Sequence, residues 1–296
     1  MVKQLYSQKE KVLAWLGFMS VIFFLIFLLL PALVNNDLRI VHNGNSEIER
    51  IVHTGEDTLL PVEWGDLGKQ MVENGVIDGA RFENLYTATY GGLTEDGMSM
   101  LYGSENDNIV ITSGNSHFVL NLLWAFGLTN KNIILESSEM RDPDYGNGAY
   151  FASVGGWTLL NGSVMDHYGA HEMLTLSNDQ QELVERVAQN IYRPCCDNSV
   201  MLPDCNHGMA MLGLLELLAS EGVGESEIYD IALGVNTYWF PDHYRVISTY
   251  LREQGLSGAD SESKNLLSSA YSSGTGYRRI LSRTGNAPEG GASCNV

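Results

Sequence analysis

Residues 205–255, CNHGMAMLGLLELLASEGVGESEIYDIALGVNTYWFPDHYRVISTYLREQG, decide the fold class. Met209, Leu212, Leu215 and Leu218 recur at helical spacing, and Gly222 stands where a helix lined by them should stop. The spacing predicts a second helix over about 225–239. Pro241 then opens a third that ends at Gly255, because proline's missing N–H costs nothing in a first turn. Just upstream, Ser177 and Gln180 stand as a capping box. They start a helix running to near Tyr192, with Leu183, Val184, Val187 and Ile191 on one face. Short connections between such helices predict packed helical hairpins over 177–282, and a chain that is mainly α.

Upstream the signals are weaker. SHFVLNLLWAFGL (116–128) is apolar on nearly every side and reads as a buried helix, while the flanking NIVIT and NIILE are candidate strands. Trp64, Leu67, Met71, Val76, Phe82 and Leu85 suggest short amphipathic helices in the first part of the domain, 61–176. Residues 141–162, rich in Gly, Asp, Asn and aromatics, read as a long loop, a feature usually functional or mobile. Residues 35–60 read as a polar stalk. The end of the chain, 283–296, reads as a flexible tail carrying Cys294.

Residues 12–34, VLAWLGFMSVIFFLIFLLLPALV, contain no charged side chain. A helix of this length crosses the roughly 30 Å hydrocarbon core. The run exceeds the about 7–15 apolar residues of a cleavable leader, and PALVNN is a poor small-x-small cleavage site. A single uncleaved transmembrane helix is therefore expected. Lys3, Lys9 and Lys11 precede it, which places the 1–11 tail in the cytoplasm and the helical domain outside the cytoplasm. The formal charge is −19 in all; residues 1–34 carry net +2, which leaves −21 on the other 262. Such a domain repels phosphate backbones, so nucleic acid is not an expected partner. The expected partners are the membrane, through residues 12–34, and other membrane or extracytoplasmic proteins.

The chemistry concentrates in IYRPCCDNSVMLPDCNHGMAM (191–211), which joins two of the predicted helices. Cys195 and Cys196 fall in the connection, and Cys205 and His207 fall in the first turn of the following helix. A helix start offers unpaired N–H groups and a positive dipole end, both of which favour thiolate. Three thiolates and an imidazole make a tetrahedral shell for Zn(II) or Cu(I). Met201, Met209 and Met211 lie in the same region, and thioethers prefer Cu(I), although helical spacing makes these residues core filling. Two other readings stand beside the metal shell: a membrane-tethered thiol-disulfide oxidoreductase, and a structural disulfide from Cys195 or Cys196 to Cys205. His167 and His171, four apart in DHYGAHEM, are secondary candidate ligands, as is Cys294. No nucleophile elbow, phosphate loop or His-Glu-x-x-His helix is present, so those hydrolase and nucleotide classes are excluded.

The run RPCCDNSVMLPDCNHGMAMLGLLELLASEGVGESEI (193–228) resembles the thiol motif of the membrane-anchored thiol oxidoreductases of cytochrome c maturation. In that family a helix leads into an Arg-Cys-x-x-Cys-Gln-Asn turn, followed by a helix, a Gly and a short helix bearing Glu-Ile. Here Arg193, Cys196, Asn198, Gly222 or Gly224, and Glu227-Ile228 occupy comparable places. The run is also similar to short cysteine-rich motifs of uncharacterised membrane-anchored bacterial proteins. It departs from the family in having adjacent cysteines instead of a spaced pair, with Cys205 and His207 added. Adjacent cysteines bridge each other only through a strained ring. The resemblance thus implies a helical hairpin, and dithiol exchange less directly.

Overall fold

The computed structural model describes residues 57–137, 139–256 and 262–284, all within one compact unit, 44–296. The helix expected over 12–34 and Cys294 lie outside the described residues. Among those described, no helix is long and apolar enough to cross a membrane.

The unit is mainly helical. Strand β1 (Thr58–Gly65) pairs antiparallel with β2 (Asn106–Ile111) across the helices α1 (Leu67–Glu73), α2 (Gly79–Tyr90) and α3 (Glu95–Tyr102). Then follow α4 (Ser116–Thr129), two 3-10 turns (Ile133–Glu136, Pro143–Gly148), α5 (Ala152–Gly155) and α6 (Val164–His167). The C-terminal half is α7 (Asn178–Ala188), α8 (Asn206–Ser220), α9 (Glu225–Trp239), α10 (Pro241–Glu253), α11 (Ser263–Leu266), α12 (Ser269–Ser272) and α13 (Gly274–Thr284).

The predicted helices 116–128, 205–222, 225–239 and 241–255 are present within a residue or two of their expected ends. Both halves of the Ser177–Gln180 capping box form. Four expectations change. Residues 58–65 form a strand whose Leu60, Val62 and Trp64 alternate into the core, so the ordered domain begins inside the stretch expected as stalk. NIILE closes as a 3-10 turn because the Asn132 side chain caps the Ile134 N–H. The helix expected to reach Tyr192 ends at Ala188, since the chain turns back there and Met201 N–H bonds Ala188 O at 3.2 Å. The 141–162 stretch is folded over the core: Trp124 Nε1 donates to Ser153 O at 2.6 Å, and Ser153 N to Asp204 O at 3.1 Å.

Helix α8 is the axis of the unit. Every residue from Asn206 to Ala219 is buried, and α4, α7 and α9 pack around it. The closest neighbour is α4, itself buried along nearly its whole length. The two helices cross at glycines. A Cβ on Gly127 would overlap Met209 O, and one on Gly213 would sit 2.6 Å from Leu123 O. Leu123–Gly127 lies against Met209–Gly213, and Asn130 reaches Glu216, so the helices run parallel and both N-termini lie toward the cysteine end. At the opposite end the fully buried Glu216 Oε2 accepts from Asn130 Nδ2 at 2.5 Å, while its Oε1 has no partner.

Gly213→Ala is expected to cost about 1–3 kcal/mol or more, as overpacking against a backbone carbonyl does. Denaturant unfolding compared with Gly234→Ala, a helical position with open space around it, checks this. Burial pushes the Glu216 carboxyl up from 4.5 to about 8, opposed by the hydrogen bond from Asn130 and by the nearby Asn132 amide. The native chain then holds this proton more tightly than the unfolded chain. The resulting stability is complete below about pH 4.5 and is lost as pH rises toward about 8. Glu216→Gln should flatten that decline, a difference on the order of a few kcal/mol. Melting curves across this range would measure it.

Candidate metal centre

The loop between α7 and α8 brings the cysteines together. Its base is closed by an antiparallel bridge between Tyr192 and Ser199 and by Val200 N–H on Ile191 O at 2.9 Å. Its outer turn is held from the C-terminal end. Gly274 N donates to Cys196 O at 2.7 Å, and Asp197 accepts from Thr275 N (2.6 Å) and Thr275 Oγ1 (2.8 Å).

Inside the loop lies Arg193, 1% exposed. Its guanidinium is spread over four acceptors. Nη1 donates to Asn198 O at 2.8 Å, Nη2 to Leu202 O at 3.1 Å and Asp204 Oδ1 at 2.7 Å, and Nε to Cys205 Sγ at 3.3 Å. Asn198 Nδ2 completes the ring by donating to Asp204 Oδ2 at 2.7 Å. This placement needs Gly208, because a Cβ there would stand 2.5 Å from Arg193 Nη2. A buried cation is tolerable only when paired and hydrogen-bonded, and here it is both.

Cys205 is the N-cap of α8, where a Ser or Asp would be usual; its sulfur accepts Gly208 N–H at 3.4 Å. Cys195 Sγ lies 3.6 Å from Cys205 Sγ. Hydrogen bonds from the Cys195 and Cys196 thiols hold the Cys205 pKa well below the usual thiol value, with Arg193 adding to the effect and burial opposing it. The Cys196 thiol is pushed up to about 12. A hydrogen bond from Cys195 lowers it, but the bond it gives to Cys205, its burial and the Cys205 charge outweigh that. Burial works against the Arg193 cation, yet Cys205, Cys196 and Asp204 hold its pKa above the ordinary value. Cys205 is thus the sulfur whose thiolate form its surroundings favour most, with Cys195 and Cys196 beside it over a buried arginine.

The sulfurs of Cys195, Cys196 and Cys205 all lie within 4.8 Å of one another. Three thiolates on one tetrahedral ion at about 2.3 Å would be about 3.8 Å apart, so the group can hold a metal ion with small side-chain adjustments. Among the described residues no other group of three or more His, Cys, Asp or Glu side chains comes together this closely.

His207 stands outside this sulfur group. Its ring is buried against Phe240 (centroids 4.5 Å apart) and Trp239 (5.8 Å), with Nδ1 lacking a hydrogen-bond partner. His167 and His171 do meet, although the helix that was to align them ends at His167, with Tyr168 extended and Gly169 at φ 58°. Their Nδ1 and Nε2 are 2.9 Å apart, and His167 Nε2 faces Asn161 O at 3.1 Å. The ring planes differ by 17° and the centroids by 5.2 Å, which exceeds the N···N distance by roughly one ring radius on either side. The nitrogens therefore point at each other in a hydrogen bond, whereas two ligands of one ion point their lone pairs at a common third position. Met209 and Met211 are core residues.

Arg193 entered the sequence reading only through the resemblance, and Asp204 and Gly208 did not enter it as site residues. The available signal was the run Pro203-Asp204-Cys205-x-His-Gly, a helix start with an acid and a glycine around a cysteine. Arg193→Lys keeps the charge and loses the fork, so Cys205 should titrate at higher pH in that variant. Alkylation rates of Cys205 against pH, resolved by peptide mass spectrometry, check this. No protein-family model, curated protein or solved structure matches the chain.

Proposed function

We propose that this is a membrane-tethered protein whose outward-facing helical unit binds one soft or borderline metal ion, Zn(II) or Cu(I). Cys195, Cys196 and Cys205 supply the ligands. The observation that carries the reading is the grouping of three sulfurs within 4.8 Å of one another. The donor set is all thiolate, which suits these ions and disfavours Ca(II) and Mg(II), which take oxygen. Charge favours the divalent ion. Arg193 is already paired with Asp204, so three thiolates leave −1 with Zn(II) and −2 with Cu(I) in a largely buried place. The positive end of α8 offsets the smaller charge better. His207 is the candidate fourth ligand: it lies two residues beyond Cys205, and its buried Nδ1 has no hydrogen-bond partner.

A second reading, thiol-disulfide exchange with partner proteins, draws support from the 3.6 Å contact between Cys195 and Cys205 and from the thiolate character of Cys205.

Elemental analysis of the full-length chain, purified with reductant and supplied with both metals, should find one ion per chain. Cys205→Ser should lose it, and His207→Ala should weaken it while leaving the three-sulfur stoichiometry. Absence of stoichiometric metal under reducing, metal-replete conditions would overturn the reading. Mixed disulfides accumulating in a single Cys→Ser variant instead would favour exchange.

A further inference from the structure

The three sulfurs are not equivalent, and the difference assigns them separate tasks. The sulfurs of Cys195 and Cys205 are in van der Waals contact, 3.6 Å apart, from positions ten residues apart in the chain. The Cys196 sulfur also approaches Asn198 O at 3.9 Å and Asp204 Oδ1 at 4.0 Å, and its backbone carbonyl is held by Gly274 N–H. Bridging Cys195 to Cys196 would need a strained ring between neighbours, whereas bridging Cys195 to Cys205 needs only the approach of two touching sulfurs. Cys205 is also the sulfur that carries two N–H donors, from Arg193 and Gly208, so it is equipped to act as a thiolate.

We propose that the metal site is gated by oxidation: a disulfide between Cys195 and Cys205 expels the ion and leaves Cys196 as the remaining thiol. The proposal rests on the metal-binding reading above. The oxidant is a small-molecule disulfide, RSSR. Cys195, a thiolate while it ligates the ion and at the half-buried edge of the loop, attacks one RSSR sulfur, forming the mixed disulfide and releasing RS⁻. The Cys205 thiolate then attacks the Cys195 sulfur and releases the second RS⁻. Two thiolates are oxidised, one RSSR is reduced to two RS⁻, and the ion leaves as a hydrated cation because two of its three sulfur ligands are gone. Arg193 stays in place throughout, since its bonds to Asp204, Asn198 O and Leu202 O do not involve the departing charge. The emptied site is therefore preserved for reduction and reloading.

The test uses the full chain in detergent, loaded with Zn(II) under reductant, desalted, and titrated with oxidised glutathione in the presence of a chromophoric chelator. Zinc release should rise in step with a Cys195–Cys205 linked peptide, with Cys196 still open to alkylation. Cys196→Ser should still form the bridge, and Cys195→Ser should lose it. A linked peptide containing Cys196, or a bridged chain that keeps its Zn(II), would overturn the gating alone. A reduced chain that takes up no Zn(II) overturns the metal reading and the gating with it.

Discussion

A guanidinium buried to 1% exposure cannot lose its proton and cannot reach water, so everything around Arg193 has to answer its charge. The protein does this with one carboxylate, two backbone carbonyls and one sulfur, all drawn from the twelve residues that follow it. Each acceptor fixes a point of the loop: Asn198 O and Leu202 O set its curvature, Asp204 anchors its far end, and Cys205 ties it to α8. The loop has little regular structure, and the buried cation substitutes for a backbone ladder. The same charge favours the anionic form of Cys205, so the group that shapes the loop also prepares its chemistry.

The long helices position this arrangement. Two parallel helices in contact through Gly127 and Gly213 bring the N-termini of α4 and α8 toward the same end of the unit. Their dipoles add there, which helps a site containing more sulfur than cationic charge. The chain accepts a close backbone approach, with glycine's weak helix propensity, in the middle of both helices. The alternative, larger side chains at the crossing, would separate the helix that carries Cys205 from the helix that stiffens it.

How much of this was legible in the sequence follows from how local each signal is. The helices of the C-terminal half are written in short-range terms, a capping box at Ser177, a stop at Gly222, a proline at 241, and they appear where those residues put them. The cysteines were legible as a group because three of them fall between two helices. The strand at 58–65 was misread because its partner is some fifty residues away and Pro61 within it argues against a strand. Arg193 had no sequence signature of burial, since an arginine in a connection is ordinarily solvated. The head-on approach of His167 and His171 depends on a left-handed Gly169 and on Asn161 O, neither of which a four-residue spacing reveals. His207 sits two residues from a ligand-class cysteine, but the aromatic side chains that claim its ring belong to α9 and the turn after it.

The clasp between α13 and the cysteine loop has a consequence for the order in which the protein is made. Cys196 is held through its carbonyl by Gly274, and its neighbour Asp197 by Thr275 and, at 3.6 Å, by Arg278. All three partners emerge some eighty residues after the cysteines during synthesis, and N-terminal segments generally fold first. The α4–α8 core and the Arg193 network can therefore assemble while the outer turn carrying Cys196 and Asp197 is still unclasped. Closure waits for the last helix. A nascent chain is in this sense a different thiol reagent from the finished one, with the Cys196 turn unclasped until the C-terminal helix arrives.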